Sequence, residues 1–315
     1  MRKNLNNFHV EGYVYDSSKL QKRITKDDSK RPGVEYITGE LGIAVDEAGL
    51  NVIPIHFTFV TATYSKSGKT NNTFTALNKI LEATDKTWLT SGKDGAMKVS
   101  VDGNLGLNDF INSNNEQVSA SRCEGSFLNI ITSLKDEIER NTFQADIVIN
   151  KVSHVDANPE RHIDKDYTTV SGGIFNFRNE LLPVEFTVHN TGGMNYFEDL
   201  GVTSSEPVYT KIWGRLESKT IKIERTEESA FGEASVTVSE RKSREWTITG
   251  TAKVPYDFGD ESVMTAEDLK KCMQNREVHW ADLKKANDEY QASKAAATPV
   301  AKTTANTVPA GGFNF

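Results

Sequence analysis

No apolar run in the 315-residue chain approaches the ~20 residues that a helix needs to cross a bilayer, so the sequence points away from a membrane. Behind the basic pair Arg2 and Lys3, the stretch to Asn7 holds no apolar segment, and a secretory signal is not expected. Cysteine is scarce as well. Cys123 and Cys272 lie far apart and outside any Cys-x-x-Cys pair, which argues against a disulfide framework or a cysteine zinc site and predicts two reduced thiols in a cytoplasm. Positive charge is short: 37 Lys and Arg face 44 Asp and Glu, a formal net charge of −7, so bulk charge does not make this chain a coat for nucleic acid. Catalytic signatures are missing too. No Ser/His/Asp order, nucleophile elbow or His-Glu-x-x-His can be read, so neither catalysis nor a cofactor is expected.

What charge there is falls unevenly. Residues 1–31 hold Arg2, Lys3, Lys19, Lys22, Arg23, Lys26, Lys30 and Arg31 against only four acids, a basic arm and loop. Up to about residue 255 the apolar residues alternate with period two, the mark of half-buried strands. Around Phe8 to Tyr15 the residues Phe8, Val10 and Val14 face one way, His9, Glu11, Tyr13 and Tyr15 the other. After a polar loop ending at Pro32-Gly33, the segment from Glu35 to Val45 turns Ile37, Leu41 and Ile43 inward and Tyr36 outward. The segment from Ile53 to Tyr64 turns Ile53, Ile55, Phe57 and Phe59 inward, with His56, Thr58, Val60 and Tyr64 outward. The period then becomes helical over Phe74 to Glu82, before two more strands, Met97 to Leu107 and about 117–131. The order β-β-β-α-β-β matches the OB-fold, a five-stranded partly open barrel.

The same grammar restarts near Phe143. Thr169 to Ile174 answers Tyr36 to Leu41, Val184 to Val188 answers Ile55 to Phe59, Gly193 to Leu200 takes the helix position, and Lys211 to Leu216 answers Val99 to Leu105. After Pro255, Thr265 reads as a helix cap ahead of Glu267 and Asp268, and a charged helix follows to about Ala297. The expected fold is therefore mainly β: two tandem OB-like barrels at 1–140 and 141–255, each with a short helix, then a helical segment at 256–297 and a disordered tail at 298–315.

Two motifs invite other functions. Ser65 to Thr70 contains Gly68-Lys69-Thr70 between a strand and a helix, but the first glycine of a phosphate loop is replaced by Thr63. His154, Asp156, His162, Asp164 and Asp166 share one loop, yet their spacing matches no established ligand pattern, and no metal is expected there. The informative residues are the outward aromatics Tyr13, Tyr15, Tyr36, His56 and Tyr64, flanked by Lys22, Arg23, Lys26, Lys66 and Lys69, with Trp213 and Arg215, beside Phe175, Phe177 and Lys211, as a second set. Aromatic platforms stack on bases while nearby cations follow the phosphates. The alternative is that these rings cover the interface between the barrels.

In layout, residues 5–255 resemble the single-stranded DNA-binding proteins of the OB-fold class, particularly those of phage replication modules. The resemblance implies binding of single strands without catalysis, in DNA replication or recombination, within the host cell cytoplasm for a phage-encoded chain. It also implies recruitment of replication or recombination proteins through a tail with an aromatic end, here Phe313 and Phe315. The tail departs from that pattern by carrying Lys302 and no carboxylate side chain. A structural or assembly protein of the virion kind, acting through protein-protein contacts, is the second expectation, and a large homo-oligomer formed without DNA would favour it.

Overall fold

The computed structural model describes residues 4–64, 67–161, 163–227, 231, 235–258 and 264–297. The first part of the chain forms β1 (Asn6–Asp16), β2 (Gln21–Ile24), β3 (Glu35–Ala44), β4 (Val52–Thr61), α1 (Asn72–Glu82), α2 (Trp88–Gly95), β5 (Lys98–Ile111) and β6 (Gln117–Ile131). β1 runs antiparallel to both β3 and β5, β3 to β4, and β5 to β6, while β4 meets β6 in parallel. The circuit β1-β3-β4-β6-β5 thus closes on itself as a five-stranded barrel with one parallel contact, the OB arrangement. Closure buries one face of every strand, which is why Val10, Ile37, Leu41, Ile55, Val99 and Val101 are fully covered.

The second part repeats the circuit with β7 (Asn141–Val155), β8 (Tyr167–Phe175), β9 (Leu181–Val188), α3 (Thr191–Asp199), β10 (Val208–Glu227) and β11 (Ser235–Thr251). Here β9 and β11 make the parallel contact, and β10 returns to β7. Even the irregularities recur. Register shifts fall between Asp102 and Gly103 in β5 and between Trp213 and Gly214 in β10. A Cβ on Gly103 would strike the Glu124 carbonyl and the Phe8 ring, and one on Gly214 would strike the Thr247 carbonyl and the Phe143 ring. Each barrel therefore lays the aromatic ring of its first strand on a glycine of its fourth strand, opposite the point where its fifth strand carries an extra residue, Ser126 in β6 and Thr249 in β11. β1 and β7 pair directly, Phe8 opposite Phe143, so all eleven strands form one continuous sheet and both barrels share one core.

Local chemistry accounts for the helices. Asn71 caps α1 by accepting from the Thr73 amide, and Phe74, Leu77 and Ile80 fill the inward face. α4 (Ala266–Ala297) begins with a reciprocal cap: the Thr265 hydroxyl accepts from the Asp268 amide, and the Asp268 carboxylate accepts from the Thr265 amide. The helix lies across both barrels. Cys272 is buried beside Tyr209 and Phe175, Asn275 donates to the Asn179 carbonyl in the β8-β9 turn, and Arg276 grips Asp109 of β5 through two bonds of 2.6 Å. Among the described residues no helix is long and apolar enough to cross a membrane.

The structure adds two elements that the sequence pattern did not predict: β2, which zips the basic loop onto β3, and α2, whose Trp88 covers part of β1. It also reverses one inward assignment. Between β3 and β4 the pairing runs Gly39 opposite Phe57 but Ile37 opposite Val60, so one residue of β3 faces two of β4. This bulge turns Phe59 outward, 41% exposed, and packs Val60 against the core. Strict alternation put Phe59 inside and Val60 outside; one extra residue in a period-two strand exchanges the faces.

Candidate nucleic-acid interface

The bulge places Phe59 beside Tyr36 on the outer face of β3 and β4, with ring centroids 4.4 Å apart and planes tilted by 36°. The Arg31 guanidinium sits 5.8 Å from the Phe59 centroid, a cation resting on the ring quadrupole. Around Tyr36 the β2-β3 hairpin forms an open groove lined by Arg23, Thr25 and Lys26, with the Asp28 carboxylate at one side. Its conformation is pinned from within: Thr25 exchanges backbone bonds with Val34 and Gly33, and its hydroxyl accepts from the Val34 amide. The outcome is a paired aromatic platform bordered by guanidinium and ammonium groups.

The other candidates fall in different places. Lys22 is exposed, pairs with Glu35 at 3.0 Å and lies over the Phe74 ring. Arg23 is exposed and bonds Gln21, and Lys26 stands exposed in the loop. Tyr64, 41% exposed, and exposed Lys69 mark the β4-α1 connection, where the Tyr64 amide donates to the Lys69 carbonyl and Thr63 bridges Thr70. The amides of Tyr64, Ser67, Gly68 and Lys69 thus bond within the connection instead of facing a phosphate. Lys66, Phe313 and Phe315, with the rest of the tail and His162, lie outside the described residues.

Tyr13 is a correction. It leaves the barrel core as its parity predicts, yet α2 lays Trp88 edge-on against it at 5.4 Å and leaves it 7% exposed, so it offers no platform. Burial first, then the Glu47 carboxylate to which it donates, raises its pKa above the ordinary tyrosine value. Tyr15 is half-buried against the same Trp88. In the second barrel Phe175 is buried in the cluster beneath α4, Trp213 lies across Gly250 with 39% exposure, and Arg215 donates to the Ile138 carbonyl. Phe177 is 87% exposed with the Arg178 guanidinium over its ring.

His56 stands on the same outer face as Phe59 but within a cleft between the barrels, opposite Tyr167, Glu185 and Arg244. Burial first, then the charge of Arg122, holds it below the usual histidine value. Both cysteines are free and buried. Burial pushes the Cys123 thiol up to about 12, and raises Cys272 as well. His154, Asp156 and Asp166 could between them hold a metal, with ligand atoms within 4.8 Å of one another, but all three are exposed and His154 is engaged by Glu198 at 3.0 Å.

Sequence reasoning missed Phe59 and gave Arg31 no role. The signal was present: Ile55-His56-Phe57-Thr58-Phe59-Val60 carries one residue more than Val184-Glu185-Phe186-Thr187-Val188, and removing Phe59 leaves Phe-Thr-Val in both. An unequal length between aligned strands is the trace of a bulge.

A protein-family model described as YorF matches residues 4–286. No curated protein matches the sequence. Among solved structures, the wild-type single-stranded DNA binding protein from Thermus aquaticus is similar with a TM-score of 0.47 at 10% identity, over 81% of this chain and 96% of that one. A deletion variant of the same Thermus aquaticus protein gives 0.47 at 11% identity, over 83% and 100%. A Replication Protein A heterotrimer bound to ssDNA gives 0.22 at 10% identity, over 82% and 67%.

Proposed function

The chain belongs to the YorF family, and we propose that it binds single-stranded DNA without catalysis, on the outer face of β3 and β4. The observation that carries this is the Tyr36 and Phe59 pair with Arg31 against it. Two large rings on a sheet surface lose solvation without entering a core, and a bulge is maintained that holds one of them there. Bases supply the matching π-faces, and Arg23, Lys26 and Arg31 supply counter-charges for the phosphates between them. Duplex DNA keeps its bases stacked on each other and offers no such faces.

In this proposal residues 1–140 hold the binding barrel, 141–255 a supporting barrel and 256–297 the helix that ties them. The tail at 298–315, with Phe313 and Phe315, recruits replication or recombination proteins of a phage-like system. The test is fluorescence anisotropy with a labelled single strand and its duplex at low and moderate salt. Preference for the single strand is expected, with log affinity falling against log salt by about 0.7 for each phosphate neutralised. Absence of binding at micromolar protein would overturn the proposal and turn attention to self-assembly.

A further inference from the structure

The aromatic platform does not end at the barrel's edge. Tyr36 and Glu40 share the outer face of β3, four residues or roughly 13 Å apart, and Glu40 with His56 opens into the cleft of about 450 Å³ between the barrels. A volume in that range accommodates small ligands. Its walls combine flat rings with both kinds of hydrogen-bonding charge. His56 and Tyr167 supply the rings, Arg122 and Arg244 the donors, and Glu185 and Glu245 the acceptors. Tyr167 packs on His189 at 5.5 Å, His189 meets Glu245 at 3.1 Å and Glu185 accepts from the Ser171 hydroxyl, so each acid keeps oxygen lone pairs for a ligand in the cleft that both line with Tyr167. Arg122 is steadied by Glu124 and Asn108, while Arg244 reaches Glu40 only at 4.0 Å.

Such a cleft repels a phosphate, because carboxylates ring it. It suits an uncharged aromatic heterocycle whose edge carries donor and acceptor side by side. We propose that the cleft receives one unstacked nucleobase of the bound strand and selects cytosine over thymine. The cytosine amino group meets the carboxylates, and its ring nitrogen and carbonyl meet the guanidiniums. Thymine would instead turn a carbonyl oxygen toward the carboxylates, acceptor against acceptor. The phosphate chain then runs outside, over Arg31 and Lys26. The inference rests on the proposed single-strand binding and adds base selection to the same face.

The experiment compares labelled oligo(dC) and oligo(dT) of equal length on the full chain by anisotropy, two pyrimidine strands that differ at the edge in question. Oligo(dC) is expected to bind at least about fivefold more tightly. In the Glu185→Gln/Glu245→Gln variant the preference should shrink to within about twofold, since an amide can serve either base. His56→Ala, which alters the opposite wall, should reduce the preference in the same direction, and thermal melts by circular dichroism establish that each variant is folded. Equal affinity for the two strands in the unaltered protein, or a preference that survives in both folded variants, would overturn the inference while leaving single-strand binding intact. Failure of both strands to bind would overturn the function beneath it as well.

Discussion

The two barrels follow one circuit, bulge their fifth strand at the same place and lay a first-strand Phe on a fourth-strand Gly, yet their outer faces differ. In the first, β4 carries Phe59 as an inserted residue, and the insertion delivers a second ring beside Tyr36. In the second, β8 and β9 pair without interruption from Thr168 opposite Val188 to Phe175 opposite Leu181. Val188 there is buried at 1%, and the outer positions hold Thr169, Ser171, Glu185 and Thr187 with Tyr167, whose ring packs on His189 and faces the cleft. The difference is the inserted residue itself: without Phe59 both strands read Phe-Thr-Val, and the bulge holds the extra ring at the surface, where it can meet a base.

The comparison depends on the barrels being held as one body, and the largest expected effect tests that. Arg276 and Asp109 are 9% and 7% exposed at their side chains. Arg276→Ala should destabilise the protein by about 3 kcal/mol, because Asp109 keeps its charge in a buried site; denaturant unfolding measures this. Burial alone would raise the Asp109 pKa, but hydrogen bonds from Arg276 and Ser119 and the charges of Arg276 and His279 carry it below the ordinary 3.8. With a depressed folded-state pKa, this contribution is complete above about pH 4 and is lost as pH falls through the lowered value. The acid limb of the stability profile should therefore flatten in Arg276→Ala.

Deletion of Phe59 breaks the comparison outright, since it gives the first barrel the Phe-Thr-Val strand of the second. The barrel should remain folded, with Val60 kept inward, while single-strand affinity drops by about thirtyfold, the loss of ~2 kcal/mol of stacking. An unchanged anisotropy titration would move the site away from β4. The smallest effect is expected in the second barrel, where Trp213→Ala should alter affinity by less than about twofold, because the ring covers Gly250 and stands apart from the paired platform. A loss comparable to that of the Phe59 deletion would make the second barrel the binder.

Much of the architecture could be read along the chain. Alternation at Phe8 to Tyr15 and Ile53 to Phe57, the helical spacing of Phe74, Leu77 and Ile80, and the cap at Thr265 are local patterns. Each depends on neighbours a few residues away. Tyr36 was legible as an outward ring for the same reason, and so was the basic loop around Lys26.

Residues whose roles depend on distant partners were not legible. Tyr13 obeys its parity and is still lost to a binding face, because Trp88, far along the chain, folds over it. His56 points outward from its own barrel and finds another barrel opposite. Phe59 turns on whether β3 matches β4 residue for residue, a property of the pair and of neither strand alone. The sequence by itself determined most of the elements and their order, β2 and α2 excepted, since periodicity and capping are short-range. Tertiary structure decided which outward rings meet solvent, because exposure is set by what packs opposite, and that partner is chosen by pairing across the chain.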